Sequence, residues 1–235
     1  DTPSHRPREL SQLLQLTEDK GFNNIILYDD EDMLVVNKPP HVVSIGAFDH
    51  PIGIQDIARY KVDGFVTAAN RLDVDTTGVN VFARNNDALR DLRGQFGDKE
   101  QRGMIKRYLA IAEGHMPFDV ETRDIVGHIE FDDRGVGQLV DKAETATFGK
   151  EWSRTIVQPL GHSELNGRAV TAVGIQIFTG KRHQIRIVLQ KLGYPILGDR
   201  KYNTNPPNVT RFMLHAYNLD FDHPPTEEEK KNGTR

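Results

Sequence analysis

The segment NRLDVDTTG, residues 70–78, brings an arginine and a carboxylate close together. Arg71 and Asp73 are separated by one residue, so their side chains point to the same side of an extended chain. A strand-like piece follows, and a loop that enters a strand can direct a side chain toward a ligand. The same segment also suits a structural turn, in which the polar side chains of residues 75–77 cap backbone amides. The residues alone leave both interpretations open.

The segment GKRHQIR, residues 180–186, concentrates cationic donors where helical spacing begins. Its basic side chains are those of Lys181, Arg182, His183 and Arg186. A helix N-terminus already attracts anions, so a phosphate or a buried carboxylate is a natural partner. A solvent-exposed basic surface that binds no anion explains the same pattern equally well.

The segment IKRYLAIAEG, residues 105–114, places Tyr108 in an apolar strand with Lys106 and Arg107 beside it. A tyrosine in such a strand usually belongs to the core. Its ring also suits stacking on a base, which is the usual way in which proteins hold an unpaired nucleotide.

Hydrophobic periodicity predicts the elements that position these segments. Strands are expected at 25–28, 33–37, 79–84, 107–113, 169–178 and 213–221, with short hairpins within 119–150. Helices are expected within 1–20, at 85–97 and at 183–193. Because the strands come in hairpins with few helices between them, the sequence predicts an α+β fold with a largely antiparallel sheet.

Composition limits the classes of protein to consider. A chain of 235 residues forms one large domain or two small ones. No apolar run approaches the roughly 18 residues that cross a membrane, and no signal peptide is visible. The chain has no cysteine, which excludes disulfides, thiolate metal sites and cysteine nucleophiles.

Charge is segregated along the chain. The formal net charge of −4 counts against binding nucleic acid by charge alone. Residues 84–107 nevertheless carry seven Lys and Arg against four acids, and residues 181–201 carry six against one. Residues 119–133 carry six acids and one Arg. Such a surface can present a basic face while the protein stays acidic overall, although ordinary solvated faces explain the pattern equally well.

Six segments, taken in order, resemble the RluA family of pseudouridine synthases over about residues 25–224. They are ILYDDEDMLVVNKPPHVVS, NRLDVDTTGV, KRYLAIAEG, GKRHQIR, LGYPILGDRKY and LHAYNLDFDHP. Each motif alone is weak, but six in the right order are specific. The departures are Asn70 for the usual His, Thr77 for Ser, Lys181 for Arg, Arg182 for a small residue or Pro, and Val188 for a frequent His. They leave Asp73, Tyr108 and Arg186 in place and bear on the RNA target and the catalytic rate.

The resemblance implies a pseudouridine synthase fold, with a mixed, largely antiparallel central sheet, flanking helices and a central active-site cleft. It implies an N-terminal extension at 1–20, a catalytic domain at 21–225 and a flexible tail at 226–235. Only about twenty residues precede the match, so we expect a small member without the S4 RNA-binding domain.

The resemblance also implies the reaction, the isomerisation of a uridine in structured ribosomal or transfer RNA to pseudouridine. Asp73 is then the nucleophile, or the base that takes a sugar proton. Arg186 pairs with Asp73 and keeps it ionised. Tyr108 stacks on the flipped uracil, and Arg71 enters the space that the base leaves.

Further expectations follow from the same resemblance. Lys38 and Lys181 are expected to contact the RNA backbone, as are Arg182 and His183, although His183 and Gln184 chiefly support the turn before Arg186. We expect no cofactor and no metal, a monomer, RNA as the partner, no membrane association, and a cytoplasmic location with an organelle as the alternative.

Two other functions compete with this interpretation. The first is a pseudouridine synthase fold without turnover, kept as an RNA-binding or ribosome-assembly factor. The second is an unrelated carboxylate-dependent hydrolase, which would make six ordered motifs a coincidence.

Overall fold

The structure is a computed structural model, and it describes residues 6–97, 104–119, 121–140, 152–207, 209–226 and 229. Contacts separate the chain into two units. The first comprises Asp1–Met104 and Asp220–Arg235, and the second comprises Ile105–Leu219. Each unit has its own cluster of buried apolar side chains. No helix among the described residues is long and apolar enough to span a membrane.

The first unit begins with two helices and continues with short antiparallel strands. Its elements are α1 (Arg6–Thr17), α2 (Asp19–Asn23), β1 (Ile26–Asp29), β2 (Met33–Lys38), α3 (Ile54–Val62), β3 (Thr67–Ala68), β4 (Thr77–Ala83) and α4 (Asn86–Gly97). Strand β2 pairs with β1 and with β4, and β3 also pairs with β4. The β2–β4 register runs from Met33 opposite Ala83 to Lys38 opposite Gly78. Two segments singled out in the sequence, around Lys38 and Asp73, therefore lie at the same end of this ladder.

Helix α3 supplies much of the core of the first unit. Ile54, Ile57 and Ala58 recur at helical spacing and are buried. They pack in one cluster with Leu16 from α1 and Phe82 from β4. The helix begins at Gly53, whose N–H donates to the Asp56 carboxylate at 2.9 Å. This closure fixes the loop that precedes the helix.

The described residues of the second unit form a larger, mainly antiparallel sheet and one helix. Its elements are β5 (Ile105–Glu113), β6 (Arg123–Phe131), β7 (Gly137–Val140), β8 (Trp152–Leu165), β9 (Arg168–Ile177), α5 (Gln184–Lys191) and β10 (Leu214–Asp220, whose last residue falls in the first unit). The strand order is β10-β5-β9-β8-β6-β7. Strands β8 and β9 form a long hairpin around Asn166 and Gly167, both with positive φ, as a tight hairpin turn requires.

The structure confirms the α+β class and the antiparallel pairing expected from the hairpin pattern. Each strand and helix predicted individually is present within a few residues of its expected bounds. The β6–β7 hairpin fulfils part of the expectation for 119–150, whereas 141–150 lies outside the described residues. Helices α2 and α3 and strands β3 and β8 were not predicted. The division into extension, catalytic domain and tail stays a prediction.

Candidate active site

Asp73 lies in the connection between β3 and β4, residues 69–76, within the first unit. The connection turns tightly after the aspartate, because the Thr76 N–H donates to the Asp73 carbonyl at 3.1 Å. Asp73 is half-buried, and Arg71 is exposed. The segment thus combines a partly shielded carboxylate with a cation that is accessible from solvent.

The side chain of Asn70 holds the start of this connection against β4. Its Oδ1 accepts from the Val81 N–H at 2.8 Å and from Asn80 Nδ2 at 2.9 Å. The Asn80 amide also donates to the Asn70 carbonyl at 3.0 Å. The residue that departs from the family motif therefore has a defined structural role here.

Lys38 is fully buried at the end of β2. Its Nζ donates to the carbonyls of Val42 at 2.6 Å, Val74 at 2.9 Å and Pro39 at 3.0 Å. These acceptors match the three N–H donors of an ammonium group. The expected contact between Lys38 and the RNA backbone is therefore wrong for this structure: the ammonium holds the backbone that follows Asp73 instead of facing solvent.

Two further contacts tie the Asp73 connection to the segment after β2. The Leu72 N–H donates to the buried Ser44 Oγ at 3.1 Å. His41 Nδ1 lies 2.9 Å from Asp75 Oδ1, and both side chains are nearly buried. His41 has a φ of 66°, a left-handed conformation that costs energy in a non-glycine residue. The backbone is thus held on both sides of Asp73.

Arg186 in α5 forms a bidentate pair with Asp199 inside the second unit. Nε lies 2.7 Å from Asp199 Oδ2, and Nη2 lies 2.8 Å from Oδ1. The guanidinium carbon is 4.5 Å from the Phe212 ring centre and 5.1 Å from that of Tyr202. Ring faces and a matched carboxylate are suited to a buried arginine.

Asp199 is the functional candidate that the sequence reasoning missed. It is fully buried, and its Oδ1 also accepts from the N–H groups of Lys201 at 3.0 Å and Tyr202 at 3.2 Å. The signal was present in the segment LGYPILGDRKY, which contributed to the family resemblance. Among the carboxylates of the six motifs, only Asp73 was given a role.

The turn before Arg186 is held by Gln184 and His183. The side-chain oxygen Oε1 of Gln184 accepts from Thr179 Oγ1 at 2.8 Å and from the Lys181 N–H at 3.0 Å. Its amide nitrogen donates to Thr155 Oγ1 at 2.9 Å and to the Arg154 carbonyl at 3.0 Å. Gln184 is buried and fully engaged, in agreement with the supporting role expected for it.

His183 has a left-handed conformation with a φ of 55° and begins α5. Its Nδ1 lies 2.8 Å from the Tyr202 hydroxyl, which also accepts from the Gly137 N–H at 3.1 Å. Burial raises the pKa of Tyr202, so its hydroxyl stays protonated and can donate a hydrogen bond to His183. A supporting role for His183 is consistent with this contact, and its expected RNA contact stays a prediction.

A cationic surface adjoins this turn. Arg182 is exposed and lies 5.5 Å from the Phe131 ring centre, and Lys181 is half-buried. Partial desolvation, then the neighbouring cations Arg182 and Arg186, lower the pKa of Lys201. Anionic ligands relieve mutual repulsion of this kind, so a phosphate is a suitable partner.

Tyr108 lies in β5 opposite Ile175 of β9 and is half-buried against the core of the second unit. Within that unit, the structure places Arg186 and His183 around Tyr202. Within the first unit, Arg71 lies two residues before Asp73, and Lys38 binds the carbonyl of Val74, the residue after Asp73. The expected pair between Asp73 and Arg186 joins residues of different units and stays a prediction.

Known proteins resemble the chain over most of its length. A model of the family described as RNA pseudouridylate synthase matches residues 32–191, more than half of the chain. The dual-specificity RNA pseudouridine synthase RluA of Haemophilus influenzae is 32% identical over 206 residues, which cover 86% of this chain and 89% of the relative. An uncharacterized RNA pseudouridine synthase of Bacillus subtilis is 30% identical over 215 residues, 88% of this chain and 70% of the relative.

A solved structure agrees with these relatives. The human RNA pseudouridylate synthase domain containing 1 superposes with a TM-score of 0.68 at 27% identity, over 87% of this chain and 79% of that one. The fold and the relatives define an RNA-modifying isomerase. The chain belongs to the RNA pseudouridylate synthase family. Relatives named RluA confirm the RluA resemblance that the six motifs predicted.

Proposed function

We propose that the chain isomerises uridine to pseudouridine in structured ribosomal or transfer RNA, with Asp73 as the carboxylate that acts on the target nucleotide. The observation that carries this proposal is the bracing of the Asp73 backbone in a chain of this family. Ser44 Oγ accepts from Leu72 on one side, and Lys38 donates to Val74 on the other. A catalytic group needs such support, because small displacements of a reacting group cost much of the rate.

The reaction balances without a cofactor. The N1–C1′ bond breaks, the base rotates, and C5 forms the new bond to C1′. C5 then loses its proton, and N1, which is no longer bonded to C1′, gains one, so the RNA keeps its composition and oxidation state. Asp73 acts either as the nucleophile at C1′ or as the base that takes a sugar proton, and both roles require an ionised carboxylate.

Arg186 is proposed to favour that ionised form. Enclosing a carboxylate with a base tends to raise its pKa, and a paired cation opposes this effect. The contact with Asp199 uses the Nε and Nη2 edge of the guanidinium. A guanidinium has a second edge, formed by its two Nη atoms, and we propose that this edge serves Asp73.

The target base must leave its stack before it can react, at a cost of a few kcal/mol. The exposed Arg71 side chain, two residues before Asp73, is proposed to occupy the vacated space. Tyr108 is proposed to stack on the flipped uracil and to assist the loss of the C5 proton.

The cationic surface formed by Lys181, Arg182 and Lys201 is proposed to bind phosphates of the RNA backbone, with His183 at its edge. Lys38 is excluded from this set by its burial. Lysine and arginine side chains that bind phosphates release counterions from the RNA, so this contribution carries no sequence information. A monomer, a cytoplasmic location and independence from metals and cofactors stay predictions.

The test is tritium release from RNA labelled at C5 of uridine, since formation of the C5–C1′ bond expels the C5 hydrogen. Unmodified ribosomal and transfer RNA are offered separately to the protein. Release from at least one of them is expected, because one relative is named for dual specificity. Binding without release from either RNA would instead support the alternative of an inactive RNA-binding factor.

A further inference from the structure

Phe48 is fully exposed, with a relative accessibility of 101%, at the tip of a turn in the first unit. The turn is closed by two backbone hydrogen bonds between Ala47 and His50, of 2.7 Å and 3.1 Å. A phenylalanine gains nothing for folding from this position, because its ring stays in water. The turn nevertheless fixes the backbone from which the ring projects.

The loop that carries Phe48 is constrained at its base as well as at its tip. The N–H groups of residues 54 and 55 donate to the carbonyls of residues 43 and 44 at 2.9 Å and 3.0 Å. His50 Nδ1 lies 3.0 Å from Glu9 Oε1 of α1. A side chain at Gly46 would place its Cβ 2.5 Å from the Pro51 carbonyl, so the two halves of the loop approach too closely for any other residue.

The same loop is attached directly to the Asp73 connection. Ser44 bonds to the N–H of Leu72, the residue before Asp73. Phe48 follows Ser44 by four residues, which at full extension span at most about 14 Å. RNA bound with a uridine at Asp73 has neighbouring nucleotides within that range.

We propose that Phe48 stacks on a base of the RNA substrate near the target uridine. The inference rests on the proposed function and adds a contact to it. A base is favoured over a phosphate because the tip is apolar, with Ile52 also exposed, and because Asp49 beside Phe48 repels phosphates. Stacking on an aromatic ring needs only the π face of a base, so the contact tolerates any sequence at that position.

The test compares the concentrations of RNA that give half-maximal tritium release, using whichever RNA pool the parent protein modifies. Phe48→Ala is expected to raise this concentration between about five-fold and a hundred-fold, the range for loss of one stacked base. Phe48→Trp keeps an aromatic face and is expected to stay within about three-fold of the parent. Tyr60→Ala is the matched control, since Tyr60 is an 81% exposed aromatic residue of the same unit on α3, outside this loop.

The outcomes separate the inference from the proposed function. An inactive parent protein refutes the proposed function itself. An active parent with an unchanged half-saturating concentration in Phe48→Ala overturns only the stacking contact. Loss of self-association in Phe48→Ala, seen by sedimentation without any change in RNA use, would identify the tip as a protein interface and would also overturn the inference. Urea unfolding of each variant checks that the fold is retained.

Discussion

Two buried cations, Lys38 and Arg186, support the proposed chemistry through different partners. The Lys38 ammonium lies on three backbone carbonyls, one of which belongs to Val74 beside Asp73. Arg186 lies on the buried carboxylate of Asp199. Removing either cation leaves buried acceptors without donors, so both are needed for stability as well as for the site.

Lys38→Met tests the role assigned to Lys38. The variant keeps the length of the side chain but leaves buried carbonyls unsatisfied, and the free energy of unfolding in urea is expected to fall by about 1–3 kcal/mol. Lys20→Met, at an exposed position of α2, is the control and should change it by less than about 0.5 kcal/mol.

RNA binding by Lys38→Met distinguishes this role from the phosphate contact that the sequence suggested. The dependence of RNA affinity on salt should keep the slope of the parent protein. A shallower slope in the folded variant would show that Lys38 neutralises a phosphate after all.

The Arg186–Asp199 pair is expected to show strong coupling. Arg186→Ala and Asp199→Ala should each lower the free energy of unfolding by about 3–5 kcal/mol, because each leaves one buried charge without its partner. The double variant should lose clearly less than the sum of the two. Additive losses in urea unfolding would mean that the bidentate contact does not contribute in solution.

Among the structural elements, the connection between β3 and β4 determines where the Asp73 side chain is held. Its second residue, Asn70, replaces the histidine usual in the family, and its side-chain oxygen accepts from Val81 and Asn80. The substitution therefore keeps the connection anchored to β4. It is compatible with an active enzyme and gives no support for loss of function.

Asn70→Ala is expected to lower the free energy of unfolding by about 1–3 kcal/mol, since it leaves the Val81 N–H without its acceptor. It should also reduce the rate of tritium release at saturating RNA, because the Asp73 connection loses an anchor. Asn70→Asp keeps an acceptor oxygen at the same place and should retain most of the stability. Equal losses in both variants would contradict the anchoring role.

The elements were predictable where periodicity was long and ended by clear breakers, as for α5 between Gly180 and Gly193. Helix α3 has suitable spacing at Ile54, Ile57 and Ala58, but it is short and preceded by a loop rich in Gly and Pro. Strand β8 contains Pro159 and Gly161, which argue against a strand by local propensity. Its long pairing with β9 overrides that preference.

The site was predictable only in part, and for a physical reason. Motifs identified Asp73, Tyr108 and Arg186 as candidates because residue types and order are visible in a sequence. The partners of a charge are set by tertiary contacts, so neither the burial of Lys38 against Val74 nor the pairing of Arg186 with Asp199 was apparent. A surface location is the usual expectation for a lysine, and here packing overrides it.

At the scale of the whole molecule, a charged contact that depends on pH joins two parts of the first unit that are far apart in sequence. His223, near the C-terminus, lies 2.7 Å from Asp30 in the turn between β1 and β2. Burial alone would lower the pKa of His223, but its hydrogen bonds to Asp30 and to the Pro224 carbonyl raise it above 6.5. Burial would raise the pKa of Asp30, but hydrogen bonds from Tyr28, the Met33 N–H and His223 outweigh this effect and lower the pKa to about 2.

The sign of the resulting pH dependence follows from the raised pKa of His223. The stabilisation that the His223–Asp30 contact provides is fully present below pH 6.5, and it is lost as the pH rises through the raised pKa of His223 in the folded state. His223→Asn is therefore expected to lower the Tm more at about pH 5.5 than at about pH 9. A loss of Tm that does not vary between these conditions would show that His223 contributes by packing alone.

The most direct measurement for the central claim is tritium release by Asp73→Asn beside Asp63→Asn. The first variant keeps the shape of the side chain and removes its charge, and the second does the same at an exposed carboxylate of the same unit. Asp73→Asn is expected to lower the rate at saturating RNA by about a hundred-fold or more while RNA binding and stability stay near those of the parent. Asp63→Asn should match the parent in all three. Release by Asp73→Asn at the rate of the parent protein would contradict the assignment of Asp73 as the catalytic carboxylate.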